Sequence, residues 1–85
     1  MTSAEYDVLD ELYFIQSYNY LADILDMNNE ILKFTLNNLL KKGWIECYIS
    51  PVEERKIESD KLEKDYWNYH YLATKAGLLA HNSNY

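Results

Sequence analysis

Apolar residues recur at helical spacing in three successive stretches of the chain, then switch to alternation, then return to helical spacing. Val8, Leu9, Leu12 and Ile15 follow the first period, behind a Thr2-Ser3-Ala4-Glu5 capping box in which Thr2 or Ser3 is the N-cap. The pattern predicts a first helix ending near Gln16. Ser17-Tyr18-Asn19 is a short polar break, and Ser17 or Asn19 can cap a second helix carrying Leu21, Ala22, Ile24 and Leu25. That helix ends near Asp26, a residue type that tolerates the left-handed conformation of a tight turn. Asn28 or Asn29 caps a third helix, with Glu30 in its first turn and Leu32, Leu36, Leu39 and Leu40 as its apolar stripe. Lys41 and Lys42 favour its C-terminal turn, and Gly43 ends it.

Beyond Gly43 the period becomes two. Ile45, Cys47 and Ile49 alternate with Glu46, Tyr48 and Ser50, which reads as a half-buried strand stopped by Pro51. Residues 52–65 are charged and poor in apolar residues, as in a surface loop. Tyr66 to Ala73 reads as a second strand, with Trp67, Tyr69, Tyr71 and Ala73 on one face. Thr74 caps a last short helix from Lys75 to about Asn82. The expected class is α+β, mostly α: a three-helix core, a two-stranded hairpin and a short C-terminal helix.

At 85 residues the chain holds one domain, 1–85, with no internal repeat and no linker. Its 48% hydrophobic content and scarcity of Gly and Pro imply a folded chain. A single cysteine rules out an internal disulfide and fits a reducing, cytoplasmic setting. No apolar run is long enough for a membrane span, and the N-terminus lacks the basic start of a secretory signal. The net charge of −6 argues against a generic polyanion binder. Its distribution changes that picture. Residues 1–27 carry six acids and no Lys or Arg, whereas residues 28–85 carry eight acids and eight bases. All of the excess negative charge therefore lies in the first third.

The stretch from Leu21-Ala22-Asp23 through Leu32-Lys33-Phe34 to Lys42-Gly43-Trp44-Ile45 resembles the helix-turn-helix of winged-helix transcription regulators, the MarR and PadR groups most. In that pattern a small residue, here Ala22, lets two helices approach closely. An apolar residue ten positions later, here Leu32, locks the next helix on. A Gly usually stands where this chain has Asp26. Tyr71-Leu72-Ala73-Thr74-Lys75-Ala76-Gly77 is similar to the family's second wing strand and its Leu-Thr-x-x-Gly helix start, with Ala73 in the Leu place. The resemblance implies a winged helix-turn-helix fold, with the helix-turn-helix at 19–42, the wing at 44–73 and the C-terminal helix at 74–82. It further implies double-stranded DNA binding, usually as a homodimer, with the third helix in the major groove and the wing on the backbone or minor groove.

With Leu32, Leu36 and Leu39 inward, the third helix turns Glu30, Lys33, Phe34, Asn37, Asn38 and Lys41 outward, and Ile31 to one side. Asn37 and Asn38 can pair with adenine edges, Lys33 and Lys41 can reach phosphates or guanine, and Phe34 can pack on thymine methyls. An ordinary solvated helix face would carry the same polar residues. The expected DNA contacts are Lys33, Phe34, Thr35, Asn37, Asn38 and Lys41, with Arg55 and Lys56 in the wing. Lys42 would add to the phosphate attraction. The helix has no Arg, so that attraction is thin. The rival reading is a protein-interaction module using the same face, with Ile31 and Phe34 as an apolar anchor.

Other chemistry is weak in the sequence. His70, His81 and Cys47 lack metal-ligand spacing, and Cys47 fits a core strand position. Tyrosines between Tyr66 and Tyr71 could stack unpaired bases, against plain wing packing or a dimer contact. The carboxylates of 52–65 sit in a loop with nothing to fix them, and no phosphate loop or nucleophile motif is present. No enzyme, cofactor or metal is expected. Tyr13, Phe14, Tyr18 and Tyr20 supply spare apolar surface for a homodimer.

Overall fold

A computed structural model describes residues 1–49 and 66–83. Within them the elements run α1 (Ser3–Glu11), β1 (Gln16–Ser17), α2 (Tyr18–Leu25), α3 (Asn29–Lys42), β2 (Ile45–Tyr48), a 3-10 turn (Tyr66–Asn68), β3 (His70–Ala73) and α4 (Lys75–Ser83). The described part of the molecule is thus a small, mostly helical α+β domain with four helices and one three-stranded antiparallel sheet, ordered β1-β3-β2.

Local chemistry sets most boundaries. Thr2 caps α1: its hydroxyl accepts the Glu5 N–H at 3.1 Å, and Glu5 accepts the Thr2 N–H at 2.9 Å. Ser17 caps α2, accepting the Tyr20 N–H at 3.1 Å. Asp26 closes it in the left-handed region at φ 51°. Asn28 caps α3, accepting the Ile31 N–H at 2.9 Å. Gly43, at φ 75°, ends α3 in a Schellman motif, in which the N–H groups of Trp44 and Gly43 donate to the carbonyls of Leu39 and Leu40. Thr74 caps α4, its hydroxyl accepting the Gly77 N–H at 3.1 Å.

Three expectations need correction. The first helix stops at Glu11, five residues before the expected Gln16. The helical period continues to Ile15, but the backbone is claimed elsewhere. The Leu12 carbonyl accepts the Ala73 N–H at 3.0 Å, and Gln16 and Ser17 pair with Tyr71 and His70. The expected two-stranded hairpin therefore belongs to a three-stranded sheet. The second strand is also shorter than Tyr66–Ala73, because Tyr66–Asn68 form a 3-10 turn that leaves Trp67 exposed. Arg55 and Lys56, expected in a wing, lie outside the described residues.

The core forms where α1, α2 and α3 meet one face of the sheet. Val8, Leu9, Leu12, Leu21, Leu32, Leu36 and Leu39 close on Ile45, Cys47, Tyr71 and Ala73. Register sets the sheet's contribution: Ile45 pairs with Ala73 and Cys47 with Tyr71, so four inward side chains come from two cross-strand pairs. Tyr71 is fully buried and needs a partner for its hydroxyl, which donates to the Tyr66 carbonyl at 2.8 Å. Tyr18, expected to be spare surface, is buried as well, and its hydroxyl donates to Asn29 Oδ1 at 2.9 Å.

Candidate nucleic-acid interface

Packing of α3 determines what that helix presents. Its buried side is Leu32, Thr35, Leu36 and Leu39. Thr35, expected among the DNA contacts, is therefore buried: its hydroxyl turns back to donate to the Ile31 carbonyl at 2.7 Å. Four residues separate the pair, so this bond lies within the helix and replaces water for a buried hydroxyl.

The outward row contains Glu30, Ile31, Phe34 and Lys41, all exposed, with Lys33, Asn37 and Asn38 half-buried beside them. Phe34 is 67% exposed and Ile31 48% exposed. The helix carries three lysines against one glutamate, a net +2, while six acids lie in residues 1–27.

Two of the three lysines have intramolecular partners. Lys42 Nζ lies 2.7 Å from Glu5 Oε2 and 4.7 Å from the centre of the Trp44 ring. It ties α3 to α1, which takes it away from the phosphate contacts expected of it. Burial by itself raises the Glu5 pKa. The Lys42 hydrogen bond, the Thr2 N–H and the attraction of the Lys42 charge outweigh burial, and the carboxyl ends below its ordinary value. Lys33 Nζ stands 5.2 Å from the centre of the Tyr66 ring. Lys41 is exposed.

Lys33 belongs to an aromatic group that the local sequence pattern does not assemble. Tyr18 and Tyr66 meet edge to face at 5.0 Å, and Tyr66 meets Trp67 in the same way at 4.9 Å. Burial, and then the neighbouring Tyr66, push the Tyr18 phenol above its ordinary pKa, so it donates to Asn29 as a neutral hydroxyl. Trp67 remains 49% exposed. Residues 18, 33 and 66 are brought together by the pairing of β1 and β2 with β3, and no short-range spacing announces it.

The remaining reactive side chains are structural. Cys47 is buried and its thiol is pushed up to about 12 by burial, against a lowering hydrogen bond with Tyr71. Burial drives the Tyr71 hydroxyl strongly upward too, helped by Cys47 beside it. His81 is buried between α1 and α4, stacked on Tyr6 at 4.3 Å, with Nδ1 2.8 Å from the Tyr13 hydroxyl and Nε2 3.3 Å from Asp10. Among the described residues no three His, Cys, Asp or Glu are grouped to hold a metal ion, and no helix is long and apolar enough to cross a membrane.

No family model matches the chain, and neither a curated protein nor a solved structure matches it.

Proposed function

We propose that this chain is a small winged-helix DNA-binding protein acting as a cytoplasmic transcription regulator, with α3 as the helix that enters the major groove. The observation that carries the reading is the outward side of α3, where Phe34 and Lys41 are exposed with Lys33, Asn37 and Asn38 half-buried beside them, on a helix of net +2 before Lys42 pairs with Glu5. The topology supports it. The order α1-β1-α2-α3-β2-β3-α4, with β3 in the centre of the sheet, is compatible with a winged helix. Asn37 and Asn38 are the base-reading residues, and Lys33 and Lys41 contact phosphate or guanine. Arg55 and Lys56 would add wing contacts, and they lie outside the described residues.

The test is selection from random double-stranded DNA at low and at physiological salt. Enrichment of one sequence supports the reading; no enriched sequence at either salt overturns it.

A second reading is a protein-interaction module docking through the same helix. It is favoured by the exposure of Phe34 and Ile31, an apolar pair on a face where Lys33 is half-buried and Lys41 exposed. The two readings predict opposite orders of mutational effect on the α3 face. A homodimer fits either. Phe14, 77% exposed, and Leu79, 58% exposed, are apolar surface away from α3, and sedimentation showing only a 10 kDa species would exclude a dimer.

A further inference from the structure

We propose that Trp67, with Tyr66 and Lys33, forms a stacking site for an unpaired nucleobase at the edge of the α3 face. The inference rests on the DNA-binding reading and extends it to a duplex that carries a single-stranded end or an extruded base.

Trp67 is placed, not loose. The 3-10 turn that carries it is pinned from below by the Tyr71 hydroxyl, which donates to the Tyr66 carbonyl at 2.8 Å from within the core. The Tyr69 N–H donates to the same carbonyl at 3.4 Å. Tyr66 is braced on Tyr18, which is itself fixed to Asn29 at the start of α3. A large indole is thereby held about half in solvent on a partly buried Tyr66 that rests on the buried Tyr18 and Tyr71. Wing packing does not need such exposure. An exposed ring on a rigid mount loses little conformational entropy when a flat partner covers it.

The neighbouring charge selects the partner. Lys33 Nζ stands over the Tyr66 ring, which in turn contacts Trp67, so a cation, a phenol and an indole follow one another along one edge. A π surface with an adjacent cation suits a ligand that is flat and anionic together, which is the chemistry of a nucleobase joined to its phosphate. Lys33 also belongs to the α3 row, so the site continues the proposed duplex surface.

The test uses the full chain and three probes: the selected duplex with blunt ends, the same duplex with a short unpaired thymidine extension, and a thymidine oligomer alone. Anisotropy gives the affinities and quenching of tryptophan emission reports contact. The expected result is binding about tenfold tighter for the extended duplex than for the blunt one. Trp67→Leu should abolish that gain and the quenching, Trp67→Phe should keep part of the gain, and the blunt duplex should bind both variants like the wild type. Melting of each variant checks the fold, and the wild-type comparison of blunt and extended duplexes stands even if a variant does not fold. Equal affinity for blunt and extended duplexes, with no Trp67-dependent quenching by the oligomer, overturns the inference and leaves the duplex reading intact. Quenching by the oligomer without any duplex binding supports the inference and overturns the duplex reading. No binding to any probe overturns both.

Discussion

Lys42 Nζ, in the last turn of α3, lies 2.7 Å from the buried Glu5 carboxylate in the first turn of α1. The other Glu5 oxygen accepts the Thr2 N–H, so one side chain closes a helix cap and joins two helices. Charge from the acidic first third is thus neutralised inside the fold, at the expense of a cation the α3 face would otherwise present. Glu5→Gln should destabilise the domain by about 1–2 kcal/mol, the scale of a hydrogen bond to a charged group whose partner is partly exposed. Thermal unfolding checks this, and an unchanged Tm would mean the pair contributes nothing.

Acid stability follows from the same pair. The folded-state pKa of Glu5 lies below its unfolded value. A carboxylate with a depressed folded pKa adds stability that is complete above the unfolded value, about 4.3, and is lost as pH falls through the lower folded value. Between about pH 5 and pH 3 the wild type should therefore lose more stability than Glu5→Gln. Urea unfolding over that range measures the two slopes, and parallel slopes would remove Glu5 from the account.

Gly77 has a steric reason to be glycine. A Cβ placed there would overlap the Trp44 carbonyl oxygen and lie 2.9 Å from its carbon. Trp44 cannot easily retreat, since its carbonyl accepts the Thr74 N–H at 2.9 Å and its N–H is held by Leu39. Gly77→Ala should cost about 3 kcal/mol, the upper end of overpacking, although alanine is the better helix former. A melting temperature at or above wild type would show that α4 can shift.

Asp26 points the other way. It occupies a left-handed conformation at φ 51° and places a carboxylate at the C-terminal end of α2, where the helix dipole disfavours it. Asp26→Gly should stabilise by about 0.5–1 kcal/mol, since glycine adopts this conformation without steric cost. Denaturant unfolding decides it, and a destabilised variant would mean that Asp26 makes a compensating contact.

Variants of the α3 face separate the two functional readings. If α3 enters a major groove, Asn37→Ala with Asn38→Ala should relax sequence preference, each good bidentate contact discriminating by about 1–3 kcal/mol. Lys33→Gln with Lys41→Gln should weaken all sequences alike and flatten the salt dependence. Phe34→Ala should act modestly, at thymine-containing sites. If the face docks a protein, Phe34→Ala becomes the severe change and the lysine changes are mild. Binding measured against salt for the three variants reads out the order, and Phe34 dominating would exclude the DNA reading.

The starts of the four helices and the ends of α2 and α3 are legible in the chain, because they are local chemistry. Thr2, Ser17, Asn28 and Thr74 stand where caps must stand, and Asp26 and Gly43 take the left-handed turns that follow α2 and α3. The period-2 alternation likewise marked Ile45 and Cys47 as core positions. β1 has no such local signal, because a two-residue strand has no period of its own and exists through pairing with β3. The same pairing ended α1 early, by taking the Leu12 carbonyl that a longer helix would have used. Partnership of charges was likewise decided in three dimensions. Spacing showed three lysines on α3, but the packing of α3 on α1 assigned Lys42 to Glu5, and the position of the 3-10 turn set Lys33 over Tyr66. Thr35 was legible as well: at 100° per residue it stands about 40° from Leu39, on the buried flank of α3, and its hydroxyl bonds back to the Ile31 carbonyl.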